Sequence, residues 1–455
     1  MFKRLPALAL LLLLSVCAPS LLRAQPAVQP SADITKVPAA AQPSDHFDPD
    51  AATDAYLAMM PPAAIARSNA YFEGGYWLIL WDFLVGAVIS LLLLNLRWSA
   101  RMRDLAARLT RFRWLQTFLY WLQYLVVTSI LAFPLTWYEG LYREQKYGLA
   151  TQSLGPWMGD QFKAFLLSVF LGGLAVMLLF RIARSFPRTW WIVGAVAGIA
   201  LSIVAVAIAP VYIRPVFNKI TRLNDPKITA PLLRLARANG IPVNDVYEID
   251  ASRQTTRMSA DVSGFAGTTR ITLNDNLLRR GSPEEIQAVM GHEMGHYVLN
   301  HVLEDIIFLS IVITCSMAFL FWGLKWTLGR WGGQWGISSP ADPAVLPLAM
   351  LLLSILFFVL TPVMNSETRM DEKQADMFGL NAARQPDGFA QAAIHLGEYR
   401  KMHPGTLEEW IFFDHPSGYN RIHSAMVWKG QNQDLFRPAL CPATASVTTA
   451  APASE

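Results

Sequence analysis

Six runs of almost unbroken apolar residues, each long enough to cross a bilayer, limit what this chain can fold into more than any other feature. They lie near residues 76–96, 117–137, 162–180, 190–211, 306–324 and 345–363. In hydrocarbon a backbone must satisfy its own hydrogen bonds, so each run reads as a helix. The composition agrees: 53% of the 455 residues are hydrophobic and 16% are charged, with a mean hydropathy of +0.29. That balance excludes an ordinary soluble globular domain.

Charge placement gives a topology. Between the first two runs, Arg97, Arg101, Arg103, Arg108, Arg111 and Arg113 are opposed only by Asp104. A later loop carries Arg181, Arg184 and Arg188, and a third carries Lys325 and Arg330. Basic loops stay in the cytoplasm, so residues 212–305 and everything after 363 are expected outside, in a bacterial periplasm. The formal net charge of +4 is too small and too localised in these loops to suggest nucleic acid. The placement of Cys17, Cys315 and Cys441 indicates no disulfide framework or cysteine metal site.

The N-terminus reads MFKRLPALALLLLLSVCAPSLLRAQP. Residues 1–24 are expected to be a signal peptide, cut after Ala24, or an uncleaved first helix. Residues 25–70, rich in Ala, Pro and Asp, read as a flexible extracytoplasmic lead, and 436–455 as a flexible tail. The organisation between them is four spans in 71–211, a soluble part in 212–305, a two-span hairpin in 306–363 and a second soluble part in 364–435.

In the first soluble part, the spacing predicts a helix over 221–239, stopped at Gly240-Ile241-Pro242. Short strands are expected in VNDVYEID and ITLNDNLL, with MSADVSGFAGTTR between them as a turn or edge strand. Ser282-Pro283-Glu284-Glu285 then opens a helix running through EIQAVMGHEMGHYVLNHVL. On it, His292 and His296 are four apart and share a face, which suits one Zn²⁺. Glu293 is placed to take a proton from an attacking water and pass it to a leaving amine. His301 is five residues beyond His296, so on a continuous helix it points elsewhere and reads as a surface or structural residue.

Such a site needs a third protein ligand. After the last run comes NSETRMDEKQADMFGL, where Glu367, Asp371, Glu372 and Asp376 are all candidates. Glu372 and Asp376 share a face, so one can bind the metal while the other accepts the free N–H of a ligand histidine. Arg369, three residues before Glu372, is expected to orient it. A transporter or scaffold with a chance motif also explains the spans, but predicts no metal.

These segments resemble the membrane zinc endopeptidases of peptidase family M48, in the branch of the CAAX prenyl protease 1 enzymes. The family joins H-E-x-x-H to a later [SN]-R-x-x-E-x-x-A-D helix, matched here from Thr368 to Asp376 with Thr at the first place. Residues 143–164 and PVFNK at 215–219 are similar to further family segments, and DHPSGYNRI at 414–422 resembles a late H-P element. The likeness covers roughly residues 70–430. It implies His292, His296 and Glu372 as ligands of one Zn²⁺, Glu293 as general base and Asp376 as the carboxylate behind a ligand histidine. It also implies that His415 and Arg421 stabilise the oxyanion or grip substrate. Ser259-Ala260 stands where many relatives have Asn-Ala in an edge strand, so main-chain pairing with a peptide is expected to survive.

The expected fold is a mainly α-helical polytopic membrane protein with a zincin-like metallopeptidase domain carrying a small β-sheet. The expected activity is zinc-dependent hydrolysis of membrane-associated, unfolded or lipid-modified, CAAX-type polypeptides by a monomer in contact with membrane lipid in a bacterial inner membrane. Four runs upstream of the motif favour this branch over the shorter HtpX-like quality-control proteases. A catalytic domain outside the cytoplasm departs from the eukaryotic relatives, whose sites face the cytosol.

Overall fold

The computed structural model describes residues 36–264 and 269–436. The signal-like segment and the tail beyond 436 lie outside the described residues. All six apolar runs are helices. They sit in α2 (Pro62–Asn95), α4 (Arg113–Lys146), α5 (Leu154–Ser185), α6 (Trp190–Phe217), α10 (His301–Trp335) and α11 (Leu346–Ala383). Ile130, Phe170, Val196, Trp322 and Val359 are exposed along them, an apolar surface suited to lipid.

The basic loops gather at one end of this bundle. A short helix α3 (Trp98–Leu109) follows α2 there, and Arg97 donates to the Gln334 carbonyl at 2.7 Å while Arg103 pairs with Asp342. Arg184 reaches the Thr117 hydroxyl at 2.8 Å. The hairpin of α10 and α11 therefore starts and ends at the other end, where the peptidase domain sits.

That domain begins with β1 (Ile220–Arg222) and α7 (Pro226–Ala238), then β2 (Val246–Ile249), β3 (Ala260–Ser263) and β4 (Arg270–Asn274). The strand order is β1-β2-β4-β3. β1 and β2 are antiparallel, β2 and β4 parallel, and β3 and β4 antiparallel, with Ala260 opposite Leu273. β3 is thus an edge, and Ser259 stands at its entrance, where its carbonyl accepts from Asn274 N–H at 3.0 Å. The expected strand ITLNDNLL is cut short. Asn274 caps a new helix, α8 (Asp275–Arg280), by accepting from Leu277 N–H at 2.9 Å.

Next comes α9 (Pro283–Val298), with the expected start: Ser282 and Glu285 form a reciprocal capping box. Its Met290 and Met294 pack on Leu232, Ile271 and Leu273 in the core under the sheet. The helix does not run on to Leu303, as the pattern suggested. Asn300 takes a left-handed conformation (φ 61°), and α10 starts afresh at His301. Asn tolerates that conformation better than most residues.

Residues 36–70 are not a flexible lead. Asp48 caps a helix α1 (Pro49–Leu57), and Ala41, Ala52, Tyr56 and Met60 are buried in one cluster with Phe389, Ile422 and Met426. These partners lie on α12 (Pro386–Leu396) and α14 (Gly418–Gln431), which follow α11 on either side of α13 (Thr406–Phe412). Lys429, 2% exposed, reaches the Ala41 carbonyl at 2.6 Å and both oxygens of Asp387, whose carboxylate also accepts from Tyr56 at 2.7 Å. The Ala- and Pro-rich composition hid an apolar pair four apart, Ala52 and Tyr56, that buries one face of α1.

Candidate metal centre

The two halves of the centre meet where α9 crosses α11, and small residues set the closeness of that crossing. A Cβ on Gly379 would come within 2.7 Å of the His292 backbone nitrogen, and one on Gly295 within 3.0 Å of the Ala375 Cα. The glycines of GHEMGH therefore let the helices nearly touch, which brings Glu372 to the two histidines across the 75 residues that separate it from His296.

Three ligating side chains converge there. His292 Nε2 and His296 Nε2 are 3.2 Å apart, His292 Nε2 lies 3.3 Å from Glu372 Oε2, and His296 Nε2 lies 3.4 Å from Glu372 Oε1. A tetrahedral zinc with bonds near 2.0–2.1 Å holds its ligand atoms about 3.3–3.4 Å apart. Glu372 Oε2 is buried with no hydrogen-bond partner, a lone pair left for a cation. His292 directs Nδ1 at Asp376 Oδ1 (2.7 Å), and Arg421 pairs with the same oxygen. A donated Nδ1–H leaves Nε2 free for metal. Burial opposes an imidazolium at His292, but the hydrogen bond to Asp376 and the nearby Glu372 carboxylate prevail and raise its pKa to about 10. The pocket favours positive charge, and the donor set fits Zn²⁺.

Beside it is a cavity of about 490 Å³, lined among others by Ser259, Ala260, His292, Glu293, Glu372, His415 and Arg421. The Glu293 carboxyl is pushed above its ordinary value, first by burial and further by Glu372 and Asp261, against the lowering effect of His292 and His296. His415 sends Nδ1 to Asp414 (2.8 Å) and Nε2 to Glu372 Oε1 (3.2 Å). Burial lowers its pKa, but these two carboxylates outweigh that and raise it.

Two family models match nearly end to end. One, described as CAAX prenyl protease N-terminal with five membrane helices, spans residues 49–219, and the other, peptidase family M48, spans residues 222–429. This chain belongs to peptidase family M48. It is a metalloendopeptidase of that family, with four candidate spans in residues 49–219 among the described residues where the model's description has five. The uncharacterized metalloprotease YhfN of Bacillus subtilis is 29% identical over 316 residues, covering 69% of this chain and 74% of that protein. CAAX prenyl protease 1 of Saccharomyces cerevisiae is 29% identical, covering 65% and 69%. The human CAAX prenyl protease 1 homolog is 25% identical, covering 66% and 72%. The crystal structure of S. mikatae Ste24p superposes with a TM-score of 0.69 at 22% identity, covering 81% of this chain and 89% of that one, a likeness of fold.

Within this M48 domain some side chains stand elsewhere than expected. Arg369 does not turn to Glu372. It donates to the Ser366 hydroxyl at 3.0 Å and to the carbonyls of Glu409 (3.1 Å) and Phe413, tying α11 to the segment that carries His415. Arg421 lines the cavity, but its Nη2 is held on Asp376, so it is less free to grip substrate than the resemblance implied. His301, expected to point away, is buried against His296, because the break at Asn300 turns it back. The pattern offered one signal for this, an Asn before the second histidine-bearing helix.

Proposed function

We propose that this M48 protein is a zinc-dependent endopeptidase that cleaves extended, unfolded or lipid-modified segments of membrane-associated polypeptides. The observation that carries the reading is the meeting of His292 Nε2, His296 Nε2 and the Glu372 carboxylate, with the two nitrogens 3.2 Å apart and each 3.3–3.4 Å from one of its oxygens, beside a cavity shared with Glu293 and the edge of β3. Bound zinc supplies Lewis acidity, polarising the scissile carbonyl and lowering the pKa of water. Glu293 takes the proton of the attacking water and delivers it to the departing amine. His415 presents its Nε2–H to the oxyanion. Asp376, braced by Arg421, fixes the His292 ring. A substrate strand pairs with the main chain from Ser259 onward along β3, which makes recognition tolerant of sequence and selective for extended chain.

The reading also has the protein acting as a monomer in a bacterial inner membrane, with its catalytic domain in the periplasm. CAAX-type substrates enter through the names of the relatives, and nothing in the pairing scheme requires a prenyl group.

The test uses full-length protein in detergent, its zinc content and a farnesylated peptide beside an unmodified one of the same sequence. Wild type carries one zinc per chain and cleaves at least one of the pair. Glu293→Gln keeps the zinc and loses roughly 10²–10⁴-fold in kcat. Full activity in Glu293→Gln, or wild-type zinc content in Glu372→Ala, would sink the assignment. Equal cleavage of both peptides removes the lipid from the recognition scheme.

A further inference from the structure

The two ligand histidines are supported differently. His292 leans on the Asp376 carboxylate, whereas His296 leans on another imidazole: its Nδ1 lies 2.9 Å from Nδ1 of His301, with the rings 5.0 Å apart and crossed at 76°. His301 is 1% exposed, and its Nε2 is buried without a hydrogen-bond partner. A ring nitrogen of His301 lies within 4.8 Å of carboxylate oxygens of Glu304 and Asp371. Among the described residues, neither carboxylate is in an ion pair with a lysine or arginine.

Tautomers follow in sequence. His296 faces His292 and Glu372 with Nε2, so a cation there requires the proton of His296 on Nδ1. That proton is donated to His301 Nδ1. A neutral His301 then carries its own proton on Nε2, the ring nitrogen without a hydrogen-bond partner. A protonated Nε2 has no lone pair to offer, which rules that nitrogen out as a ligand of a second metal.

We propose that His301 is a positioning residue for the zinc ligand His296. It accepts the Nδ1–H of His296, with the carboxylates of Glu304 and Asp371 near its ring. The left-handed turn at Asn300 is what permits this contact, since five residues along an unbroken helix would separate the two rings.

The inference rests on His296 being a zinc ligand, and the test separates the two. Zinc affinity of the full-length protein is measured by chelator competition, with the melting temperature of each metal-free variant as the control for folding. His301→Leu, which has no acceptor, binds zinc roughly 10–100-fold more weakly than wild type. His301→Asn, whose side-chain oxygen stands near the place of Nδ1, stays within about threefold, which a purely space-filling role would not produce. If His301→Leu fails to fold, His301→Ala takes its place with the same expectation. Wild-type affinity in the folded acceptor-free variant, an Asn variant as weak as the Leu one, or a second zinc equivalent lost on removing His301 would each overturn the proposal. Unchanged zinc binding in His296→Ala would instead overturn the ligand assignment beneath it.

Discussion

At the scale of single residues, the chemistry depends on where charge is forced. Glu293 acts only as a carboxylate, and burial, Glu372 and Asp261 raise its pKa above the ordinary 4.5. Activity should therefore fall as pH drops through that raised value, and the acid limb of kcat/KM should lie above pH 4.5. Asp261→Asn removes one of the raising charges, so its acid limb should move to lower pH; an unmoved limb would show that Glu293 does not set it. Asp376 makes a different demand. It is 4% exposed and holds both His292 and Arg421. Asp376→Asn keeps an acceptor for the ring but loses the charge facing the guanidinium. Zinc affinity should drop about 10–100-fold by chelator competition, with kcat at saturating zinc less affected. His292, Glu293 and His296 were legible because their chemistry is written in one helical turn. Glu372 and Asp376 were legible only as members of a set of four acids until a resemblance chose between them, because sequence spacing does not say which face of α11 meets α9.

Among elements, the crossing of α9 and α11 decides whether there is a centre at all. Gly291, Gly295 and Gly379 leave no room for side chains, and at Gly379 the backbone nitrogen of His292 is the first atom a larger residue would strike. Gly379→Ala must push the helices apart or strain them, at a cost of about 1–3 kcal/mol. Glu372 would then withdraw from the two nitrogens. The expected outcome is less than one zinc per chain together with a lowered melting temperature; full zinc occupancy in Gly379→Ala would mean that the approach is set elsewhere. Periodicity placed the end of α7, the start of α9 and the spans well, because each is specified by its own apolar face and caps; the expected helix from 221 instead begins at Pro226, capped by Asp225, after β1 takes Thr221 and Arg222. It missed two things that local pattern does not encode. One is the break at Asn300, where a single backbone angle ends a helix whose side-chain pattern continues. The other is α1, whose few apolar residues matter only because α12 and α14 offer them a surface.

For the whole molecule, the hairpin joins chemistry to the membrane. α10 and α11 descend from the centre to the end where Arg97, Arg103 and Arg184 make their contacts and return, so the histidines and Glu372 are held at one bilayer face by helices anchored at the other. If the arginine-rich loops are retained in the cytoplasm, as proposed, the peptidase domain faces the periplasm. Arg108 on α3 and Arg234 on α7 are both exposed and belong to opposite ends of the protein. In a cysteine-free background, Arg234→Cys should react in intact cells with a maleimide that passes the outer membrane but not the inner one. Arg108→Cys should react only after the inner membrane is breached. The reverse pattern would place the centre in the cytosol and give substrates the same side as in the eukaryotic relatives. The expected pattern would confine substrates to polypeptides that reach the periplasmic face, where the proposed pairing along β3 would select them by extended conformation.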